Sequence, residues 1–262
     1  MRIIALLATY NEERFIGNCL KHLIGQGLEV YLIDNCSTDN TVSIARDYLG
    51  KGVVGIETFP RDDTFALRPL LHRKEELATQ LEADWFMHVD ADEIRVAPTG
   101  QSLADAVSNV DSQGYNAINF LEYTFVATRE SPDHDHPNYL RTMRWYYPFL
   151  PKYPHRLNLW KRQSQRVDLA SKAGHGVSFP GLKMYPQSFA MRHYIALSHA
   201  HIVRKLLPRK YPLDAIKRGW HNNRRDLTAD MLALPFEKEL RRYTDDSQLD
   251  PTEPWTRHFW QK

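Results

Sequence analysis

The 262 residues are 42% hydrophobic and 11% aromatic with a formal net charge of +2, which is enough apolar mass for one sizeable core with an appendage. No apolar run reaches the roughly 18 residues that a membrane span needs, and Met1-Arg2 leads straight into a strand-like segment, so a soluble, cytoplasmic chain is expected. Two cysteines, Cys19 on a predicted helix face and Cys36 in a turn, exclude a disulfide framework and a cysteine zinc motif.

Residues 2–8, Arg-Ile-Ile-Ala-Leu-Leu-Ala, read as a strand covered on both faces of a parallel sheet and give way to Thr9-Tyr10-Asn11-Glu12-Glu13. Phe15, Ile16, Cys19, Leu20, Leu23 and Ile24 then recur at helical spacing, with Gly25 and Gly27 closing the helix. Val30 to Ile33 predicts a second strand ending in Asp34-Asn35-Cys36-Ser37-Thr38-Asp39. There Ser37, Thr38 or Asp39 can cap a helix that turns Val42, Ala45, Tyr48 and Leu49 inward. Val53 to Thr58 is a third strand. Leu70 to Leu81 is a third helix, with Arg73, Glu75 and Glu76 on its wet face. Trp85 to Val89 is a fourth buried strand that ends abruptly in Asp90-Ala91-Asp92-Glu93. Strand and helix thus alternate as in a doubly wound α/β fold.

Three carboxylates at the end of a buried strand are costly unless something cationic sits there, and in open α/β sheets that end is where ligands bind. Asp90 and Asp92 can point the same way and share one hard cation, Mg2+ or Mn2+. A solvated acidic turn is the plainer alternative.

Residues 102–111 suggest a further helix, and Tyr115 to Ala127 a strand with Glu122 among apolar neighbours. Asp133-His134-Asp135-His136-Pro137 reads as a polar loop, and residues 139–160 are rich in Tyr, Trp, Pro and Arg. Residues 1–136 carry 11 Lys and Arg against 22 Asp and Glu, residues 137–225 carry 18 against 2, and residues 226–262 carry 5 against 8. This predicts an acidic ligand-binding α/β half over 1–136, a basic half of the same domain over 137–225 and a tail over 226–262. The basic half wants a polyanion: diphosphate, an acidic glycan, nucleic acid or anionic lipid. Within it His193 lies in a strand-like run, His175 stands between two glycines, and His199 and His201 share a face if a strand persists there. Arg204 and Lys205 are candidates for a diphosphate or an anionic acceptor. Trp220 to Arg224 is placed to close the site, and Trp255, Phe259 and Trp260 are expected to pack the tail back on the body or on a second subunit.

Ala8-Thr9-Tyr10-Asn11-Glu12 after the first strand, Ile33-Asp34-Asn35-Cys36-Ser37-Thr38-Asp39-Asn40-Thr41 at the end of the second, and Asp90-Ala91-Asp92-Glu93 stand in a telling order and spacing. Over about the first 100 residues the chain resembles the family-two glycosyltransferases of GT-A fold. The resemblance implies a single GT-A-type α/β domain: a Rossmann-like, mostly parallel sheet with helices on both faces, plus a basic acceptor-side carboxy-terminal region. It implies a metal-dependent enzyme that moves a sugar, with inversion, from a nucleotide-sugar, a UDP-sugar, to the hydroxyl of a glycan or another acceptor. Ala8, Thr9, Tyr10, Asn11 and Glu12 would line the nucleoside pocket, with Asp34 accepting from base or ribose. Asn35 stands where the family often has a second acidic residue; it can hydrogen-bond but adds no charge. Arg68 and Lys74 would reach base or phosphates. Asp90, Ala91 and Asp92 would serve donor and metal, with His193 in the place of the further histidine ligand many such enzymes use and His175 as the runner-up.

An inverting transfer also needs a base for the acceptor hydroxyl. The basic half holds only two carboxylates, and Asp214 after Tyr211-Pro212-Leu213 looks like a helix cap, which leaves Asp168, with Glu122 in reserve and His175 behind it. Asp168 can also simply pair with Arg166 or Lys172. A sugar-phosphate nucleotidyltransferase is disfavoured because Thr9-Tyr10-Asn11-Glu12 contains no glycine. The rival of another class is a polyanion- or nucleic-acid-binding module on residues 137–225, and the two readings meet in a glycosyltransferase with a nucleic-acid acceptor.

Overall fold

The apolar run at the start of the chain forms β1 (Ile3–Thr9), and the first five residues of it are fully buried, as a strand covered on both faces must be. In order follow α1 (Glu13–Gly25), β2 (Glu29–Asp34), α2 (Thr41–Arg46), β3 (Val53–Thr58), α3 (Leu67–Gln80), β4 (Trp85–Val89), β5 (Glu93–Val96), α4 (Leu103–Ser112) and β6 (Ala117–Val126). Then come α5 (Tyr139–Thr142), β7 (Trp145–Phe149), β8 (Arg156–Lys161), β9 (Phe189–Ala196), α6 (His199–Leu206), α7 (Leu213–Lys217) and β10 (Arg241–Arg242). This computed structural model describes residues 1–62, 64–98, 100–220, 224 and 226–261, without the side chain of Asp214. The cap expected of Asp214 and most of the closing stretch, His221 to Asn223, therefore lie outside the described residues. The chain forms two compact units: Met1–Arg61, Leu67–Phe120 and Pro154–Met191 make the first, and Asp62–Ala66, Leu121–Tyr153 and Arg192–Lys262 the second.

The first unit is a mixed α/β layer structure around a mostly parallel sheet. Its strands run β3-β2-β1-β4 in parallel, and β8 joins β4 antiparallel, with Trp85 opposite Lys161. Chain order reverses between β1 and β4, so the sheet has a topological switch point there. Helix α1 buries Phe15, Ile16, Cys19, Leu20 and Leu23, the stripe read from the sequence. Helix α3 packs Leu70, Leu71, Leu77 and Ala78 into a cluster with Ile4, Leu6, Phe86 and Trp160.

Two local expectations are corrected. Helix α2 stops at Arg46, so Leu49 falls on the turn beyond it and is 46% exposed rather than inward. Glu75 is buried, not on a wet face, because residues 166–170 fold over it. Asp168 makes an isolated bridge to Ser178 before a short 3-10 turn, Ala170–Lys172.

In the second unit β6, from Leu121 on, pairs antiparallel with β7 (Glu122 opposite Phe149, Thr124 opposite Tyr147), and β10 extends β7. Phe125 packs on Tyr146, Tyr194 and Tyr243. The strand expected through His199 and His201 is a helix. Ser198 has extended backbone and accepts from His201 N at 3.0 Å, a side-chain cap that satisfies an otherwise orphaned amide and starts α6. The tail does pack back: Trp255 stacks on Tyr147 at 4.2 Å and His258 on Phe149 at 4.0 Å. No described helix is long and apolar enough to cross a membrane.

Candidate active site

The parallel register sets Thr9 beside Asp34 and Leu7 beside Val89, so the loops after β1, β2 and β4 leave the sheet at one edge. The first two loops are laced together. Asn11 N donates to Ser37 Oγ at 2.9 Å, Thr38 N donates to Asn11 Oδ1 at 2.7 Å, and Glu12 N donates to Thr41 Oγ1 at 2.8 Å. Asn11 and Cys36 hold the left-handed conformation, φ 55° and 62°, which this lacing sustains. Asp34 is buried; its Oδ2 accepts from Ser37 N at 2.9 Å and its Oδ1 from Thr9 Oγ1 at 3.4 Å. Ala8 packs partly buried on the core, while Tyr10 stays at the surface.

Asn35 has a reason to be an amide. Its Nδ2 donates to the carbonyls of Phe59 and Pro60 at 3.1 and 3.2 Å, and its Oδ1 accepts from Arg61 Nη1 at 3.0 Å. A carboxylate has no donor to offer those two carbonyls. The guanidinium of Arg61 lies 3.6 Å from the ring centroid of Tyr10, a close cation–π contact. Arg61 was not singled out in the sequence; the signal was a lone cation just beyond the end of the third parallel strand.

At the end of β4, Asp90 is half-buried and Ala91, Asp92 and Glu93 are buried. Asp90 N donates to Glu93 Oε2 at 3.1 Å and Glu93 N to Asp90 O at 3.1 Å, which closes a tight turn. The cations this cluster requires come partly from the chain itself. Glu93 pairs with the buried Arg95, and Arg156 Nη1 stands 3.8 Å from its other oxygen. Arg95 is held by Asn158 Oδ1 at 3.1 Å and His88 O at 3.2 Å. Lys74, only 1% exposed, donates to His88 Nδ1 at 2.8 Å and to Val89 O at 3.3 Å. Burial pushes its ammonium down to about 8, against the pull of Asp90 and Glu93. Burial, and then the charge of Lys74, also hold His88 well below the usual imidazole range, so its neutral ring accepts at Nδ1. Gly174, at φ +77°, lets the following loop approach: a Cβ there would stand 2.9 Å from His88 Nε2.

Lys74 therefore ties α3 to the end of β4 rather than projecting into a pocket, whereas Arg68, in the first turn of α3, is half-buried and makes no hydrogen bond among the described residues. Glu93 is engaged by Arg95, and no described group donates a hydrogen bond to the Asp90 carboxylate, which with Asp92 supplies further anionic oxygens of the turn. These hard oxygen donors suit Mg2+ or Mn2+. Among the described residues no three His, Cys, Asp or Glu side chains form a ready group for a metal. A pair of carboxylates is the usual protein share of a Mg2+ site completed by phosphate oxygens.

His175 stacks on His155 at 4.9 Å in the first unit. Asp168 turns its carboxylate back on the chain and accepts from Ser171 N at 2.9 Å. Against its partial burial, that hydrogen bonding and the charge of Lys172 hold its proton affinity below the usual carboxylate range. Neither pairing expected of it occurs as a contact, since Arg166 is engaged by Glu75 at 2.7 Å. Against its own burial, Glu75 is kept ionised by His72, Arg166 and the amides of Leu169 and Ala170.

In the second unit the structure joins two residues singled out for different reasons. His193 Nδ1 stands 2.6 Å from Glu122 Oε1, which also accepts from Thr124 Oγ1 at 3.1 Å. The Glu122 side chain is fully buried and the His193 ring 12% exposed. Arg204, on α6, donates to Asp135 Oδ2 at 2.8 Å, and Lys205 follows it in the last turn.

Residues 5–63 match the profile of glycosyl transferase family 2. No curated protein matches the chain. Among solved structures, S. aureus TarS 1–349 in complex with UDP-GlcNAc is similar at 15% identity and TM-score 0.43, over 74% of this chain and 58% of that one. A mannosyltransferase of Pyrobaculum calidifontis in complex with GDP-Man and Mn2+ is similar at 19% identity and TM-score 0.45, over 78% of this chain and 61% of that one. Glucosyl-3-phosphoglycerate synthase of Mycobacterium tuberculosis, in complex with Mn2+, UDP and phosphoglyceric acid, is similar at 16% identity and TM-score 0.32, over 47% of this chain and 43% of that one. The chain thus spans less than two thirds of each of these structures. The profile match takes in both laced loops, Asn35 and Arg61, and over those residues the chain is similar to glycosyl transferase family 2.

Proposed function

We propose that the chain is a metal-dependent, inverting glycosyltransferase that takes its sugar from a nucleotide-sugar, a UDP-sugar, and delivers it to an acceptor hydroxyl. The observation that carries this reading is the convergence, within the first unit, of the laced β1 and β2 loops with the Asp90-Ala91-Asp92 turn at one sheet edge, beside the switch point. Thr9, Tyr10, Asn11 and Asp34 form the nucleoside side, and Arg61 and Arg68 add the cationic groups. Asp90 and Asp92 are the residues to hold Mn2+ or Mg2+, which when bound neutralises the leaving diphosphate.

The charges favour the cation and the diphosphate arriving together. Asp90 and Glu93 already face Lys74 and Arg95, with Arg156 beside Glu93, so a nucleotide-sugar diphosphate arriving with its divalent ion adds no net charge to the cluster. For the acceptor proton, Asp168 is the candidate carboxylate within the first unit, held in place by the hydrogen bond it accepts from Ser171 N at 2.9 Å.

Calorimetric titration of UDP, GDP and CDP with and without Mn2+ tests the donor side. UDP binding that requires the ion supports the reading, and binding of no nucleotide overturns it.

A further inference from the structure

Residues 204–218, Arg-Lys-Leu-Leu-Pro-Arg-Lys-Tyr-Pro-Leu-Asp-Ala-Ile-Lys-Arg, span the end of α6, a two-proline link and α7 in the second unit. Leu213 is 76% exposed and Leu207 36% exposed. Lys210, Lys217 and Arg218 are exposed around them, and Asp214 is the one carboxylate in the stretch. These are not the side chains of a loose tail. Ile202 and Leu206 are buried below, Phe65 N donates to Lys210 O at 2.7 Å, and the rings of Phe65 and Tyr211 meet edge-on at 6.2 Å. Arg209 is spent on the Phe65 ring at 4.9 Å and Arg204 on Asp135 at 2.8 Å. The three exposed cations thus remain beside leucines held out in water.

We propose that this stretch docks the protein on an anionic lipid surface, with Leu213 entering the headgroup boundary and Lys210, Lys217 and Arg218 meeting lipid phosphates. Exposed leucine among cations, with few acids, is the chemistry of an interfacial segment. A single-stranded nucleic acid would instead call for exposed rings on which bases stack, and the rings here, Tyr211 and Trp220, are half-buried; a duplex offers phosphates but no place for the exposed leucines.

Co-sedimentation of the full chain with phosphatidylcholine vesicles, with and without phosphatidylglycerol, tests this at low salt. Binding only to the anionic vesicles is expected. Each surface cation contributes about fivefold, so Lys210→Gln, Lys217→Gln and Arg218→Gln together lower the partition coefficient on the order of a hundredfold. Leu213→Ser lowers it about tenfold or more, and because the side chain is so exposed the variant melts like the parent. Equal binding to neutral vesicles, no binding to anionic ones, or Leu213→Ser binding like the parent overturns the proposal. So does binding to a DNA duplex in the absence of vesicle binding, which assigns the stretch to nucleic acid. The readout is independent of sugar transfer.

Discussion

Replacing Lys74 by Met removes a buried ammonium while keeping an unbranched side chain of similar length. In the folded protein burial lowers Lys74 from 10.5 to about 8. Between these values the unfolded chain still holds the proton that the folded chain has released, so stability rises with pH across that window. Below pH 8 both states are protonated, and the buried charge costs the full difference, about 3 kcal/mol. From about pH 7 to pH 9.5 the parent recovers about 2 kcal/mol of this, a gain the variant cannot make. Met also leaves His88 Nδ1, now bonded at 2.8 Å, without its donor. That loss, about 1–3 kcal/mol, is constant over the interval and cancels. Urea unfolding of both proteins at the two pH values gives the answer as a difference of differences. The stability of the parent relative to Lys74→Met should improve by about 2 kcal/mol at the higher pH. A difference that stays the same within a few tenths of a kcal/mol refutes the reasoning.

Asp90→Asn and Asp92→Asn should each abolish turnover and leave the melting curve in place, since an amide keeps the shape but not the charge that a hard cation needs; near-normal activity of either variant in EDTA removes the metal assignment. Asp34→Ala should weaken UDP binding by roughly 1–3 kcal/mol in calorimetry, and it also releases the Ser37 amide it now holds. Asn35→Asp should destabilise the loop after β3 by about 1–3 kcal/mol in unfolding, because it turns a carboxylate on the Phe59 and Pro60 carbonyls. Asp168→Asn should lower kcat about a hundredfold with UDP affinity unchanged, since the amide oxygen still accepts from Ser171 but takes no proton. Normal turnover across the pH range removes Asp168 from that role.

Much of the first unit was legible because its signals are local. The apolar runs of β1 and β4 and the stripe of α1 each state their burial in a few consecutive residues, and the strand-end motifs lie where a parallel sheet exposes its loops. The misreadings came where a distant partner or a cap decides. Glu75 looks like surface helix until residues from Arg166 to Ala170 close over it. His199 and His201 look like strand positions until Ser198 is seen to cap a helix. Nothing local says that Lys74 is spent on His88, that Arg61 lies on Tyr10, or that Glu122 and His193, 71 residues apart, form a pair. Such contacts follow from topology, which periodicity alone does not supply.

The central claim is that the laced loops and the Asp90-Ala91-Asp92 turn hold a nucleotide diphosphate with a divalent ion, and calorimetry of UDP against the parent protein and Asp90→Asn, each with Mn2+ and with EDTA, tests it most directly. The account predicts saturable binding by the parent in Mn2+, a loss of affinity of at least about tenfold in EDTA, and a comparable loss for Asp90→Asn that Mn2+ does not restore. UDP binding that is equal in all four titrations would contradict it.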